Sequence, residues 1–83
     1  MEKINRINLL LALKGRYNKP TIVTRDTKEK TEYYFEIGNK RYYYYLYRDL
    51  SINEVIYEIG YSKRFGYYAT KVKSRTIKSL KEL

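Results

Sequence analysis

Residues 31–47 read TEYYFEIGNKRYYYYLY, and no other stretch restricts the fold as strongly. Apolar and polar side chains alternate through 31–37, which is the period of a strand with one buried face. Gly38 and Asn39 follow as a favourable two-residue hairpin loop, with Gly38 supplying the positive φ that such turns demand. Residues 40–48 then return as the partner strand. A two-residue loop sets Glu36 opposite Arg41, Phe35 opposite Tyr42 and Tyr33 opposite Tyr44. Tyr33, Phe35, Ile37, Tyr42, Tyr44 and Leu46 therefore share one face, and Tyr34, Tyr43, Tyr45 and Tyr47 share the other. A three-residue loop would reverse the assignment and expose Leu46. The run of tyrosines is thus two half-runs, one on each side of a sheet.

Elsewhere the patterning is shorter. Ile4, Ile7, Leu10, Leu11 and Lys14 recur at helical spacing over 2–14, with Gly15 placed to cap the end. The lone proline, Pro20, marks a break. Residues 21–25 (TIVTR) are β-branched and read as a short strand, and 26–30 (DTKEK) as a charged loop. In 49–60 (DLSINEVIYEIG) Ser51 and Glu54 have capping-box spacing, Leu50 and Val55 suit a hydrophobic staple, and Ile52, Val55, Ile56 and Ile59 form an apolar stripe. Gly60 suits the stop. This segment reads as a helix. From about Ser62 onward two periods compete. A helix aligns Phe65, Tyr68, Ala69, Val72, Thr76, Leu80 and Leu83 on one side and clusters Arg64, Lys71, Arg75 and Lys78 on another. A strand would place Lys71, Lys73 and Arg75 on one face and Tyr68, Thr70 and Val72 opposite. The apolar match is longer for the helix. The fold class expected is α+β: one domain over 1–83, a three-stranded antiparallel sheet, an N-terminal helix and one or two C-terminal helices.

Two partial resemblances attach to this reading. LSINEVIYEIGYSKRFGYYATKV is similar to the helix-turn-helix of AraC-type regulators, a capped helix followed by a Gly-aromatic-Ser turn and a basic-aromatic second helix. That resemblance implies a recognition helix beginning at Ser62, Lys63, Arg64 and Tyr67, with its first residues in the major groove. The α-β-β-β-α order is also similar in topology to double-stranded-RNA-binding domains, whose loop motifs are absent.

Charge points to a polyanion. Of 83 residues, 18 are Lys or Arg and 9 are Asp or Glu, a formal charge of +9. Most of the excess lies in 63–83, where Lys63, Arg64, Lys71, Lys73, Arg75, Lys78 and Lys81 face only Glu82. Such a surface favours nucleic acid on electrostatic grounds. With no His and no Cys, the usual zinc and copper sites and the Ser-His-Asp and Cys-His arrangements are excluded, and no disulfide marks a redox compartment. No phosphate-cradling glycine loop and no paired-carboxylate spacing is present, so a non-enzymatic protein without cofactor or metal is expected.

The candidate contact residues are Tyr34, Arg41, Tyr43, Tyr45 and Tyr47 on the outer sheet face, with Lys63, Arg64, Lys71, Lys73, Arg75 and Lys78. The rings would stack on unpaired bases while Arg41, Lys30 and the basic segment hold phosphates, with little sequence readout. DNA or RNA is the expected partner. The alternative is a phage- or virus-encoded interaction protein that inhibits a host factor, such as an anti-CRISPR protein acting on a nucleic-acid-associated host protein; an exposed tyrosine patch also suits a homodimer. Abundant Lys, Ile, Asn and Tyr fit an AT-rich genome, as of a phage or an archaeal virus. No run approaches a membrane span and LLLAL at 9–13 is too short for a leader, so a cytoplasmic location (the host's, if viral) is expected.

Overall fold

In a computed structural model that describes residues 3–18 and 20–83, five antiparallel strands follow one N-terminal helix. Helix α1 spans Arg6–Arg16; the strands are β1 (Val23–Asp26), β2 (Lys30–Ile37), β3 (Lys40–Tyr47), β4 (Ile52–Ser62) and β5 (Gly66–Ile77); a single 3-10 turn, Leu80–Glu82, closes the chain. The strands pair in chain order as a meander. The central hairpin has the register read from its loop: Glu36 pairs with Arg41, Phe35 with Tyr42 and Tyr33 with Tyr44. Gly38, at φ 60°, makes that turn.

The helix starts at Arg6 because Asn5 caps it, its side chain accepting from the Asn8 amide at 2.8 Å. Glu2, the first residue of the expected helix, and Lys19 lie outside the described residues. Gly15 is within the helix rather than its cap. The chain leaves through Tyr17 and then Asn18 at φ 61°, the left-handed position that asparagine tolerates. Leu9 and Leu13 pack onto one face of the sheet, against Tyr33, Phe35, Tyr44, Leu46, Ile52, Ile77 and Leu80. The Tyr33 hydroxyl donates to the Arg6 carbonyl at 2.9 Å, tying the first turn of the helix to β2.

The sheet has five strands, not three, and the C-terminal helices are absent from it. Residues 49–60 are not a capped helix. Ser51 is held in the β3–β4 turn, its amide and hydroxyl both donating to Asp49 Oδ1, at 3.0 and 2.6 Å, and the residues after it pair with β3 as a strand. Ile52, Val55, Ile56 and Ile59 are β-branched, and the stripe they make at helical spacing divides between two faces at strand spacing. Gly60, expected to stop the helix, sits within β4 beneath the Tyr68 ring, where an added Cβ would lie 2.5 Å from Tyr68 Cζ. An S-x-x-E capping box forms elsewhere, where Ser79 and Glu82 cap the closing 3-10 turn.

The segment after Ser62 is β5, hydrogen-bonded along β4 from Gly66 to Ile77. Its β-branched and aromatic residues complete a sheet whose fourth strand would otherwise be an edge. The helix-turn-helix resemblance fails here, since Ser62, Lys63, Arg64 and Tyr67 form a hairpin turn and its flanks. The α-β-β-β-α order fails with it.

Candidate nucleic-acid interface

Burial of one face of the sheet leaves the other to be accounted for. Helix α1 and the 3-10 turn both pack on the Tyr33–Tyr44 side. The strand period then sends Tyr34, Tyr43, Tyr45, Tyr47 and Tyr57 to the side that neither covers. These rings are half-buried against one another. Tyr34 and Tyr43 lie 4.9 Å apart between centroids, Tyr43 and Tyr45 stack at 6.3 Å and 15°, and Tyr57 meets Tyr43 edge-on at 5.7 Å. Further along the same face Tyr61 and Tyr67 pair across β4 and β5 at 5.0 Å, with exposures of 62% and 80%.

Cations border the rings. Lys30 Nζ lies 4.8 Å from the Tyr45 centroid and 5.5 Å from that of Tyr47. Arg41 binds Glu36 at 2.8 Å, the cross-strand pair that the hairpin register requires. Arg25 and Lys30 both approach Glu32, at 3.8 and 4.0 Å. Partial desolvation, then a hydrogen bond to Glu36 and that carboxylate's charge, push the Tyr34 hydroxyl up to about 12. Desolvation and then Glu32 raise Tyr45 as well. Both phenols are therefore neutral hydrogen-bond donors at ordinary pH.

The basic strand does not join this face as a block. Ile56 pairs with Lys73 but Tyr57 pairs with Lys71, so Val72 is an extra residue in β5. This bulge reverses the alternation. Lys71 goes to the tyrosine face, whereas Lys73 and Arg75 turn to the helix side. There they meet Glu54, whose side chain is 1% exposed. Arg75 Nε donates to Glu54 Oε1 at 2.6 Å, Lys73 Nζ lies 3.5 Å from the same oxygen, and the Tyr44 hydroxyl donates to Oε2. Because a carboxylate only accepts, Tyr17 must donate to Tyr44, at 2.6 Å. Burial acts to raise the Glu54 carboxyl, but the bonds from Arg75 and Tyr44 and the charges of Arg75 and Lys73 together hold it below its ordinary value. Arg75 also donates to the Glu82 carbonyl at 2.8 Å.

Of the candidate residues, the fold brings together Tyr34, Arg41, Tyr43, Tyr45, Tyr47 and Lys71. Lys63 and Arg64 stand at the β4–β5 turn, exposed, and Lys78 is exposed beyond β5. Lys73 and Arg75 serve the buried carboxylate instead. Tyr57 was missed because a helix was expected over 49–60, and Tyr61 because Gly60 was expected to stop that helix just before it; strand alternation from Asn53 to Tyr61 would have found both. Among the described residues no group of three or more His, Cys, Asp or Glu side chains could hold a metal, and no helix is long and apolar enough to cross a membrane.

No protein-family model, curated protein or solved structure matches the chain significantly.

Proposed function

We propose that the tyrosine face binds single-stranded nucleic acid, stacking bases on its rings and holding phosphates with the cations around them. The observation that supports this reading most directly is the uncovered aromatic surface running from Tyr47 and Tyr45 through Tyr43 and Tyr57 to Tyr61 and Tyr67, bordered by Lys30, Arg41 and Lys71. Rings accept any base, since every base has a π-face, so the surface selects for an unpaired strand rather than a sequence. The neutral hydroxyl of Tyr45 adds a donor to phosphate or base edges. No catalytic step is assigned.

Titration of single-stranded DNA and RNA oligonucleotides, followed by the protein's tyrosine fluorescence, tests the reading. The chain has 12 tyrosines and no tryptophan, so the emission is that of tyrosine alone. Quenching on binding is expected, and Tyr43→Ala and Tyr57→Ala should each weaken affinity by roughly five- to a hundredfold, one base stack apiece. Unchanged emission at saturation ends the stacking role. The carboxylates Glu32 and Glu36 on this face favour a second reading, a protein partner with mixed charge that uses the rings as anchors. Loss of partner capture in the same variants, with no oligonucleotide affinity to lose, would select it.

A further inference from the structure

Strand β3 ends its pairing with β4 at Lys40 and Glu58. Beyond that point β4 and β5 continue alone, paired with each other from Ile59 and Ala69 to Ser62 and Gly66. The last backbone link to the rest of the sheet is the Ile59 amide donating to the Asn39 carbonyl at 2.7 Å. At about 3.3 Å per residue this ribbon projects roughly 10–13 Å past the sheet, and the molecule is correspondingly elongated, 48 × 27 × 20 Å.

The ribbon has an unusual tip. Lys63, Arg64 and Phe65 form the turn, and Gly66 at φ 78° closes it. Phe65 is 77% exposed, with the Arg64 guanidinium 5.3 Å from its ring centroid. Stability does not call for a phenylalanine there, because the ring buries almost nothing within the chain. No acidic residue occurs anywhere from 59 to 81. Tyr61 and Tyr67 continue the tyrosine face up the ribbon, and a cleft of about 200 Å³ lined by Arg41, Ile59, Tyr67, Tyr68 and Ala69 lies where ribbon and sheet meet.

Resting on the single-strand reading of the tyrosine face, we infer that the β4–β5 ribbon engages the junction between a single strand and a duplex. The unpaired strand lies along the tyrosines. Phe65 stacks on the terminal base pair of the duplex, as apolar side chains do when they wedge against base steps, and Lys63 and Arg64 hold the phosphates that flank the junction. A flat face alone has no means of recognising where a duplex begins; a projecting, basic, aromatic tip at one end of that face does.

The test uses fluorescence anisotropy of the full chain with three DNAs matched in phosphate number: a single strand, a blunt duplex, and a duplex with a single-stranded tail, the tail tried in both polarities. A tailed duplex of one polarity should bind more tightly than the single strand by roughly five- to a hundredfold, the yield of one aromatic stack. Phe65→Ala should remove that preference and leave single-strand affinity within about twofold, while Lys63→Ala with Arg64→Ala should lower affinity for the tailed duplex more than for the single strand. Tailed duplexes that bind no better than the single strand overturn the inference while leaving the function of the tyrosine face in place. An equal loss for both DNAs in Phe65→Ala also overturns it. Failure of all three to bind, both as DNA and as the matching RNAs, removes both readings together.

Discussion

Leu50 adopts φ 69°, a left-handed conformation that branched and bulky side chains resist. The β3–β4 connection requires it. The Leu50 amide donates to the Tyr47 carbonyl at 3.0 Å and the Tyr47 amide to the Ser51 carbonyl at 2.9 Å. That is a three-residue hairpin loop whose last position favours glycine. A left-handed residue other than glycine costs about 1–2 kcal/mol, against about 0.5–1 kcal/mol for the extra freedom a glycine loses on folding. The Leu50 side chain is half exposed and gives little back. Leu50→Gly should therefore stabilise the protein by about 0.5 kcal/mol, raising the thermal midpoint by roughly 2–4 °C for a domain of this size. Leu50→Ala, which keeps the strain and loses the side chain, should lower it. Paired thermal melts decide the matter, and a midpoint for the glycine variant below that of the alanine variant would contradict the turn described here.

At the scale of an element, β4 shows why part of this fold was legible and part was not. The β2–β3 hairpin is specified locally: its loop, its alternation and the Glu36–Arg41 pair all lie within a dozen or so residues and agree. Strand β4 is specified at a distance. As a strand it must point Glu54 into the core, which in isolation argues for a helix with Glu54 in the cap. What makes the strand tenable is the pair of cations Lys73 and Arg75 in β5 and the hydroxyl of Tyr44 in β3, none of them identifiable as partners until the strands are paired. The same remoteness hid the bulge at Val72, and with it the separation of Lys71 from Lys73 and Arg75. On the tyrosine face, the rings of the hairpin could be read from register, whereas those of β4 could not be read until β4 was a strand.

This dependence has a pH signature. The Glu54 carboxyl lies below its ordinary 4.5 in the folded protein, so its contribution to stability is fully present above that value and is lost as pH falls through 4.5 toward the folded one. Asp26, held down by its hydrogen bond from Thr31, and Asp49, held down by Ser51, act in the same direction from 3.8 downward. The thermal midpoint should thus be flat from pH 7 to about 5 and fall below it. Glu54→Gln keeps the shape and leaves Lys73 and Arg75 without their carboxylate. It should cost about 3 kcal/mol at neutral pH, the low end for a broken buried pair because both cations reach solvent. It should also flatten the part of the acid limb that begins near 4.5. A wild-type midpoint unchanged down to pH 3 would refute the assignment.

For the whole molecule, charge placement matters more than total charge. A formal +9 suggests a steep salt dependence of nucleic-acid binding, and the seven cations after residue 62 alone would give a slope of about −5 in log affinity against log salt at roughly −0.7 per neutralised phosphate. The fold disperses them. Lys73 and Arg75 are committed to Glu54, and Lys78 lies beyond β5. On the tyrosine face Arg25, Lys30, Arg41 and Lys71 are opposed by Glu32 and Glu36. A strand lying there neutralises only a few phosphates, and the slope for a short single strand should be about −2. Lys71→Ala should reduce it by about 0.7, whereas Lys78→Ala should leave it unchanged. Affinity that survives salt is then the share carried by the rings, and Tyr43→Ala should lower the intercept without altering the slope. A slope near −5 for the single strand would mean that the polyanion contacts more cations than the tyrosine face carries, and would contradict a path along the rings.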